Sequence, residues 1–381
     1  MKQDYHDFNT LLLHGSSDRD PLTGGLSTPI YQVSTFHRDS DKPSKYDYSR
    51  SANPTRDVLE DHIAQLEMGI QGFAFSSGMA AISTILLLFS PGDHLVVSKD
   101  IYGGAYRLFT QVFNQWQLEV DFVDITNTEE IKTAIKDNTK GIYFEILSNP
   151  FLRVADLKTI VDICKQNNLV SIVDNTFLPP YYCRPLEFGA DIVLHSATKF
   201  LNGHSDVIAG VSAVNCPNLA KRLAFLQNAI GAVLGPQDSW LLLRGMKTLG
   251  IRLERQTKSA EEIAKWLSEQ PWIKKLYYSG LASHPGKEIL DNISSGPGMI
   301  ITFEVKDSVT KENLMKKLSL PAVAVSLGAV ESILTHPATM SHAGMPEEVR
   351  EAQGITDRIF RFSVGLEHPL DLMNDFSNSI S

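Results

Sequence analysis

From about Gly72 to Val214 the sequence alternates short β-branched runs with longer amphipathic stretches, and no other feature constrains the fold as strongly. A two-residue period puts side chains on alternate faces of a strand, whereas a 3.6-residue period gives a helix one apolar stripe. Their repeated alternation predicts an α/β fold in which βα units wind onto a mostly parallel sheet flanked by helices. Seven strands are predicted, at 72–75, 94–97, 119–123, 141–144, 170–173, 191–194 and 208–214. In Pro91-Gly92-Asp93 and in Glu187-Phe188-Gly189-Ala190-Asp191 a glycine stands just before a strand, where a left-handed cap ends a helix.

The pattern changes after Pro236. One long helical stretch, 238 to about 269, is followed by sparser strands at 298–305 and 359–364, which predicts a second, smaller C-terminal α/β domain. Before Lys45 there is no sustained helical period, and Gly24-Gly25, Pro29 and Pro43 interrupt the chain. The expected organisation is an arm at 1–45, an α/β domain at 46–236 and a C-terminal α/β domain at 237–381. A length of 381 residues suits two domains.

Composition narrows the function. A formal charge of −9 argues against a nucleic-acid or anionic-membrane partner, so any phosphate the chain binds must be held locally. The longest apolar run, 82–89, contains Ser83 and Thr84 and falls short of the ~20 residues that span a bilayer. The polar first ten residues have no apolar h-region, so a cytoplasmic protein is expected. Cys164, Cys183 and Cys216 are odd in number, widely spaced and without a CxxC, and read as free thiols. His336 and His342 match no zinc spacing, and no metal is expected. They read as solvated or core histidines, and His204 and Asp206 as loop residues.

In open α/β sheets ligands sit at the carboxyl ends of the strands, so polar residues just after the predicted runs are the first candidates for chemistry. Ser76-Ser77-Gly78-Met79-Ala80-Ala81 follows the first strand and opens a helix, where small residues let backbone N–H groups reach an anion. Ordinary helix capping explains it equally well. Ser196-Ala197-Thr198-Lys199 puts two hydroxyls and an amine in four residues, enough to hold a phosphate and supply a nucleophile. An exposed loop lysine is the plain alternative. Asp174-Asn175-Thr176 closes the most apolar strand, where a carboxylate needs a cation or donors, unless it is an N-cap. Arg361 lies inside an apolar run, as a fork for a substrate carboxylate or as half of a structural salt bridge.

Order and spacing say more than any one of these. The stretch Asp191-Ile192-Val193-Leu194-His195-Ser196-Ala197-Thr198-Lys199-Phe200-Leu201-Asn202-Gly203-His204-Ser205-Asp206 closely resembles that of the cystathionine-processing (Cys/Met metabolism) family of pyridoxal phosphate enzymes. Tyr48-Ser49-Arg50, Asn53-Pro54-Thr55-Arg56, Asp174-Asn175-Thr176-Phe177 and Ser326-Leu327-Gly328 follow in the family's order, over nearly the whole chain. The resemblance implies the aminotransferase-like architecture called fold type I, with pyridoxal 5'-phosphate on Lys199 as a Schiff base. It further implies that Lys199 moves the Cα proton, Asp174 pairs with the pyridine nitrogen and Tyr102 stacks on the ring. Gly78, Met79, Ser196 and Thr198 would hold the phosphate, and Tyr48 and Arg50 would reach it from a neighbouring subunit of a homotetramer built as a dimer of dimers. Arg361 and Ser326 would bind the substrate α-carboxylate, and Asn149 would lie near the cofactor hydroxyl.

Within the family, Val325 precedes Ser326 where γ-acting cystathionine enzymes typically carry Glu, and Gly104 stands where methionine γ-lyases usually carry Cys. The run 325–342 resembles that of Gram-positive bacterial β-lyases, which implies β-elimination of L-cystathionine in methionine biosynthesis. γ-Lyase, γ-synthase or methionine γ-lyase activity on the same scaffold is the alternative, and a catalytically inactive homologue the next. Ile146, Leu147, Ala52, Ala105 and Arg358 depart from the family's usual residues.

Overall fold

The computed structural model describes residues 7–15, 20, 22–38 and 44–380. Its larger sheet holds seven strands: β1 (Gln71–Phe75), β2 (His94–Ser98), β3 (Glu119–Val123), β4 (Thr139–Glu145), β5 (Val170–Asp174), β6 (Ile192–Ser196) and β7 (Gly210–Val214). They lie in the order β1-β7-β6-β5-β4-β2-β3. From β3 to β6 the neighbours are parallel, and only β7 runs antiparallel, to both β6 and β1. Each predicted run is a strand, and Gly92 and Gly189 are both left-handed, with φ of 87° and 86°.

Alternation along the strands sorts the core into two layers. Phe73, Phe75, Tyr143, Ile172, Ile192 and Leu194 pack with helices Gly78–Leu86 and Pro217–Ile230 on one face. Ala74, Ile142, Phe144, Val173 and Val193 pack on the other with helices Pro54–Leu66 and Leu157–Gln166. A sheet covered on both faces needs apolar residues at successive positions, which is why its strands read as continuous runs. Helix Pro54–Leu66 has its N-terminus fixed by Asn53, whose Oδ1 accepts from the N–H groups of Thr55 and Arg56.

One turn shows how tightly the layers meet. A Cβ built on Gly210 would lie 2.2 Å from the Ser77 carbonyl oxygen, so only glycine lets β7 pass the turn that opens helix Gly78–Leu86. Gly210→Ala must push backbone apart, and overpacking of this kind costs about 1–3 kcal/mol. Thermal denaturation of the purified variant should show a clear fall in Tm; an unchanged Tm would mean the turn yields freely.

The second sheet has five strands: β8 (Ile273–Tyr277), β9 (Ile300–Val305), β10 (Ala322–Val323), β11 (Ile333–Thr335) and β12 (Ile359–Ser363), ordered β10-β11-β12-β9-β8. Sequence period reveals only β9 and β12. β10 and β11 have two and three residues, too few to show alternation, and β8 is half charged or exposed. The expected single helix from 238 to about 269 is instead two, Pro236–Met246 and Leu249–Ser268. The Gly245 carbonyl at the break accepts from Thr248 Oγ1 (3.1 Å) and Arg252 Nη2 (3.1 Å). Side chains thus take an acceptor that a continuous helix would use internally. The arm also contains a short helix, Phe8–His14, capped by Asp7.

Glu145, Asp174 and Ser196 therefore stand at the carboxyl ends of three adjacent parallel strands. From the second sheet, β12 brings Arg361, and the segment between β10 and β11 brings Val325 and Ser326.

Candidate active site

A cavity of about 540 Å³ opens at these strand ends, within the size range of small-molecule sites. Gly78, Met79, Tyr102, Asn149, Asp174, Ser196, Thr198, Lys199, Val325, Ser326 and Arg361 all line it. Tyr48 and Arg50 do not. They sit on a loop whose carbonyls at Ser49 and Arg50 accept from the buried guanidinium of Arg56, at 2.7 and 3.2 Å, and Tyr48 is 47% exposed.

Lys199 follows β6 in a tight turn closed by its own N–H to the Ser196 carbonyl (3.1 Å). Its Nζ donates to Ser326 Oγ at 3.0 Å. Burial, assisted by the Arg361 charge, brings the amine down to about 8, so a substantial neutral fraction exists near physiological pH. This is what a nucleophilic lysine requires. Gly328, φ 78°, lets the Ser326 segment approach: a Cβ there would lie 2.6 Å from the Phe200 N and 3.0 Å from the Lys199 carbonyl carbon.

Asp174 Oδ1 accepts from the Thr176 N–H (3.0 Å) and hydroxyl (2.5 Å), and Oδ2 from Tyr143 Oη at 3.4 Å. Burial nevertheless pushes its carboxyl above the ordinary range, because these donors do not replace a cation. Beside it in register, Glu145 is pushed well above its ordinary value by burial and then by Asp174. Glu145 Oε1 accepts the Tyr102 N–H at 2.7 Å, which fixes the start of helix Gly103–Arg107. Gly104 leaves room for the ring in this position, since a Cβ would lie 2.4 Å from Tyr102 Cε1.

Arg361 is 2% exposed and firmly held. Nη1 donates to Asn149 Oδ1 (2.9 Å), and Nη2 to the Ser326 carbonyl (2.9 Å) and Thr335 Oγ1 (3.1 Å). Its Nε is buried without a partner. Burial lowers the guanidinium to about 10, which leaves it charged at neutral pH. No carboxylate of the protein forms a hydrogen bond with it among the described residues, so no salt bridge of the protein accounts for its charge there.

On the opposite wall Ser77 caps helix Gly78–Leu86 through Oγ to the Ala80 N–H (3.0 Å). A Cβ on Gly78 would lie 3.1 Å from the Ser196 Cβ, so glycine keeps this helix start against the Ser196 turn. Free N–H groups of a first turn, with the Ser196 hydroxyl, make a place for a small anion, whereas the Thr198 hydroxyl is paired with Ala209, donating to its carbonyl at 3.2 Å and accepting its N–H at 3.0 Å. Capping and anion binding are thus compatible here, not competing. The donor set fits pyridoxal phosphate: an anion cradle, a partly neutral lysine amine and a buried carboxyl short of a cation.

Several lining residues escape sequence reasoning. Glu145 ends β4, a position the strand-end rule could have flagged. Arg107, Met340, Ser341 and Gly344 come from a helix and a loop without any local pattern. Among the departures, Leu147 lines the cavity, whereas Ile146 and Ala105 are buried off the wall and Arg358 pairs with Asp307 on the outside. His336 and His342 are core residues with protein partners at both ring nitrogens. The described residues contain no helix long and apolar enough to cross a membrane.

Comparison with known proteins agrees with this geometry. The chain is 52% identical to the cystathionine β-lyase MetC of Bacillus subtilis (strain 168), over 97% of this chain and 95% of that protein. It is 47% identical to the cystathionine γ-lyase of the same organism, over 97% and 98%. Its structure matches a crystal structure of cystathionine γ-lyase from Lactobacillus plantarum complexed with L-serine, with a TM-score of 0.96, 42% identity and 98% of each chain covered. Residues 9–381 match the family described as Cys/Met metabolism PLP-dependent enzyme, and with Lys199, Asp174 and Arg361 lining one cavity the chain is a member of it.

Proposed function

We propose that the chain is a carbon–sulfur lyase that converts L-cystathionine and water to L-homocysteine, pyruvate and ammonia. The observation that carries the choice of β- over γ-elimination is Val325, an apolar residue 63% exposed at the cavity beside Ser326. The greater identity to the β-lyase than to the γ-lyase, 52% against 47%, supports the same choice.

When bound, pyridoxal phosphate supplies an electron sink that makes the substrate Cα–H acidic. Gly78, Met79, Ser196, Thr198, Asp174, Tyr102 and Asn149 would hold it, and Lys199 would anchor it. Arg361 and Ser326 hold the α-carboxylate and so aim Cα at Lys199. Lys199 Nζ would take the Cα proton. The Tyr102 hydroxyl donates a proton to the departing sulfur.

That last role has a selective test. Tyr102→Phe should slow pyruvate release from L-cystathionine by about 10²-fold or more, the usual worth of a positioned acid. Release from 3-chloro-L-alanine should change far less, because chloride leaves without a proton. Equal losses on both would remove Tyr102 from this role.

Cofactor capture offers a second test. The neutral fraction of Lys199 rises with pH up to about 8 and then saturates. Loading of the apo-protein with pyridoxal phosphate, followed by absorbance, should quicken roughly tenfold per pH unit below that value and level off above it.

The active assembly is proposed as a cytoplasmic homotetramer, a dimer of dimers, in which Tyr48 and Arg50 serve a neighbour's phosphate site. Their absence from this chain's own cavity lining, and the exposure of Tyr48, support that reading. The division at 45 and 236 into arm, cofactor domain and C-terminal domain is proposed with it.

A further inference from the structure

Ser341 lines the cavity together with Met340 and Gly344, on the segment between the turn Pro337–Thr339 and helix Glu347–Ala352. This segment lies against the Tyr102 turn: a Cβ on Gly103 would come within 2.8 Å of the Ser341 carbonyl oxygen. Ser341 Oγ is 2.9 Å from His342 Nδ1, and His342 Nε2 is 3.2 Å from the Asn149 carbonyl oxygen. A carbonyl oxygen only accepts, so Nε2 carries the proton. The ring is 1% exposed, and burial with the nearby Arg361 charge holds it down to about 4, so it is neutral. A neutral imidazole protonated at Nε2 has only a lone pair at Nδ1, and the Ser341 hydroxyl must donate there. Its proton is committed, and Ser341 Oγ has only lone pairs left to offer a ligand.

We propose that Ser341, oriented by His342, is a specificity residue that accepts a hydrogen bond from the distal ammonium of a diamino dicarboxylic thioether substrate. This rests on the β-lyase reading above. Such a substrate has two ammonium groups, and the reacting one is consumed at the cofactor. Among the described residues the only carboxylates lining the cavity are Glu145 and Asp174, at the inner strand ends, engaged by the Tyr102 N–H and by Thr176. Val325 offers no acceptor in its side chain. An oriented hydroxyl that offers only lone pairs is a complement for a cation held away from those strand ends.

The test compares holoprotein of wild type, Ser341→Ala and Ser341→Thr on L-cystathionine and on S-(3-carboxypropyl)-L-cysteine. The second compound keeps the thioether and the distal carboxylate but lacks the distal ammonium. Ser341→Ala should lower kcat/KM for cystathionine about tenfold, mainly through KM, as expected for a lost hydrogen bond to a charged group. It should leave the analogue unchanged, and Ser341→Thr, which retains the hydroxyl, should restore cystathionine. Equal loss on both compounds, or no loss on cystathionine, overturns the proposal. Wild-type protein that releases pyruvate from neither compound overturns the β-lyase reading itself, and the proposal with it.

Discussion

Lys199→Ala should abolish pyruvate release from L-cystathionine, by about 10⁴-fold or more, and leave the purified protein without the yellow of a bound cofactor. Two functions fall together in this variant. The amine at about 8 proposed to capture the aldehyde is the same group proposed to take the Cα proton. Neither neighbour can replace it: Ser326 Oγ is no base at neutral pH, and Arg361 stays protonated. A stoichiometric cofactor assay after denaturation and a pyruvate assay suffice to judge the result. Full colour with no activity would restrict Lys199 to proton transfer, and normal activity would remove it from the mechanism.

Arg361→Ala should lower kcat/KM by roughly 10²-fold or more, since truncating one partner of a buried charged pair costs about 2–5 kcal/mol. Cofactor content should fall far less than activity, because among the described residues the guanidinium touches one residue proposed to hold the cofactor, Asn149, and none of those proposed for its phosphate. The loss should be common to every amino-acid substrate, since each has an α-carboxylate. Arg361→Lys keeps a charge but not the fork, and should recover only part of the loss. Unaltered kinetics in Arg361→Ala would return this residue to a purely structural role.

The larger domain was legible in the sequence because physics repeats itself there. Seven apolar runs at regular intervals can bury both faces of a sheet in few ways, and the strand-end rule then points to Asp174 and to the Ser196–Lys199 turn. The smaller domain was less legible. Strands of two or three residues show no period, and the break at Lys247–Thr248 depends on Arg252 reaching back to a carbonyl. Arg361 could be suspected, yet only the fold shows that its partners are Asn149, Ser326 and Thr335, with no carboxylate hydrogen-bonded to it among the described residues. Ser341 and Arg107 had no local signal at all. They reach the cavity from loop and helix positions, and that convergence belongs to tertiary structure alone.

The central claim is β-elimination, and the product pair tests it most directly. Purified holoprotein should be incubated with L-cystathionine and the products separated. Pyruvate and homocysteine in equal amounts are expected; 2-oxobutyrate with cysteine would contradict the claim and place the bond cleavage at Cγ.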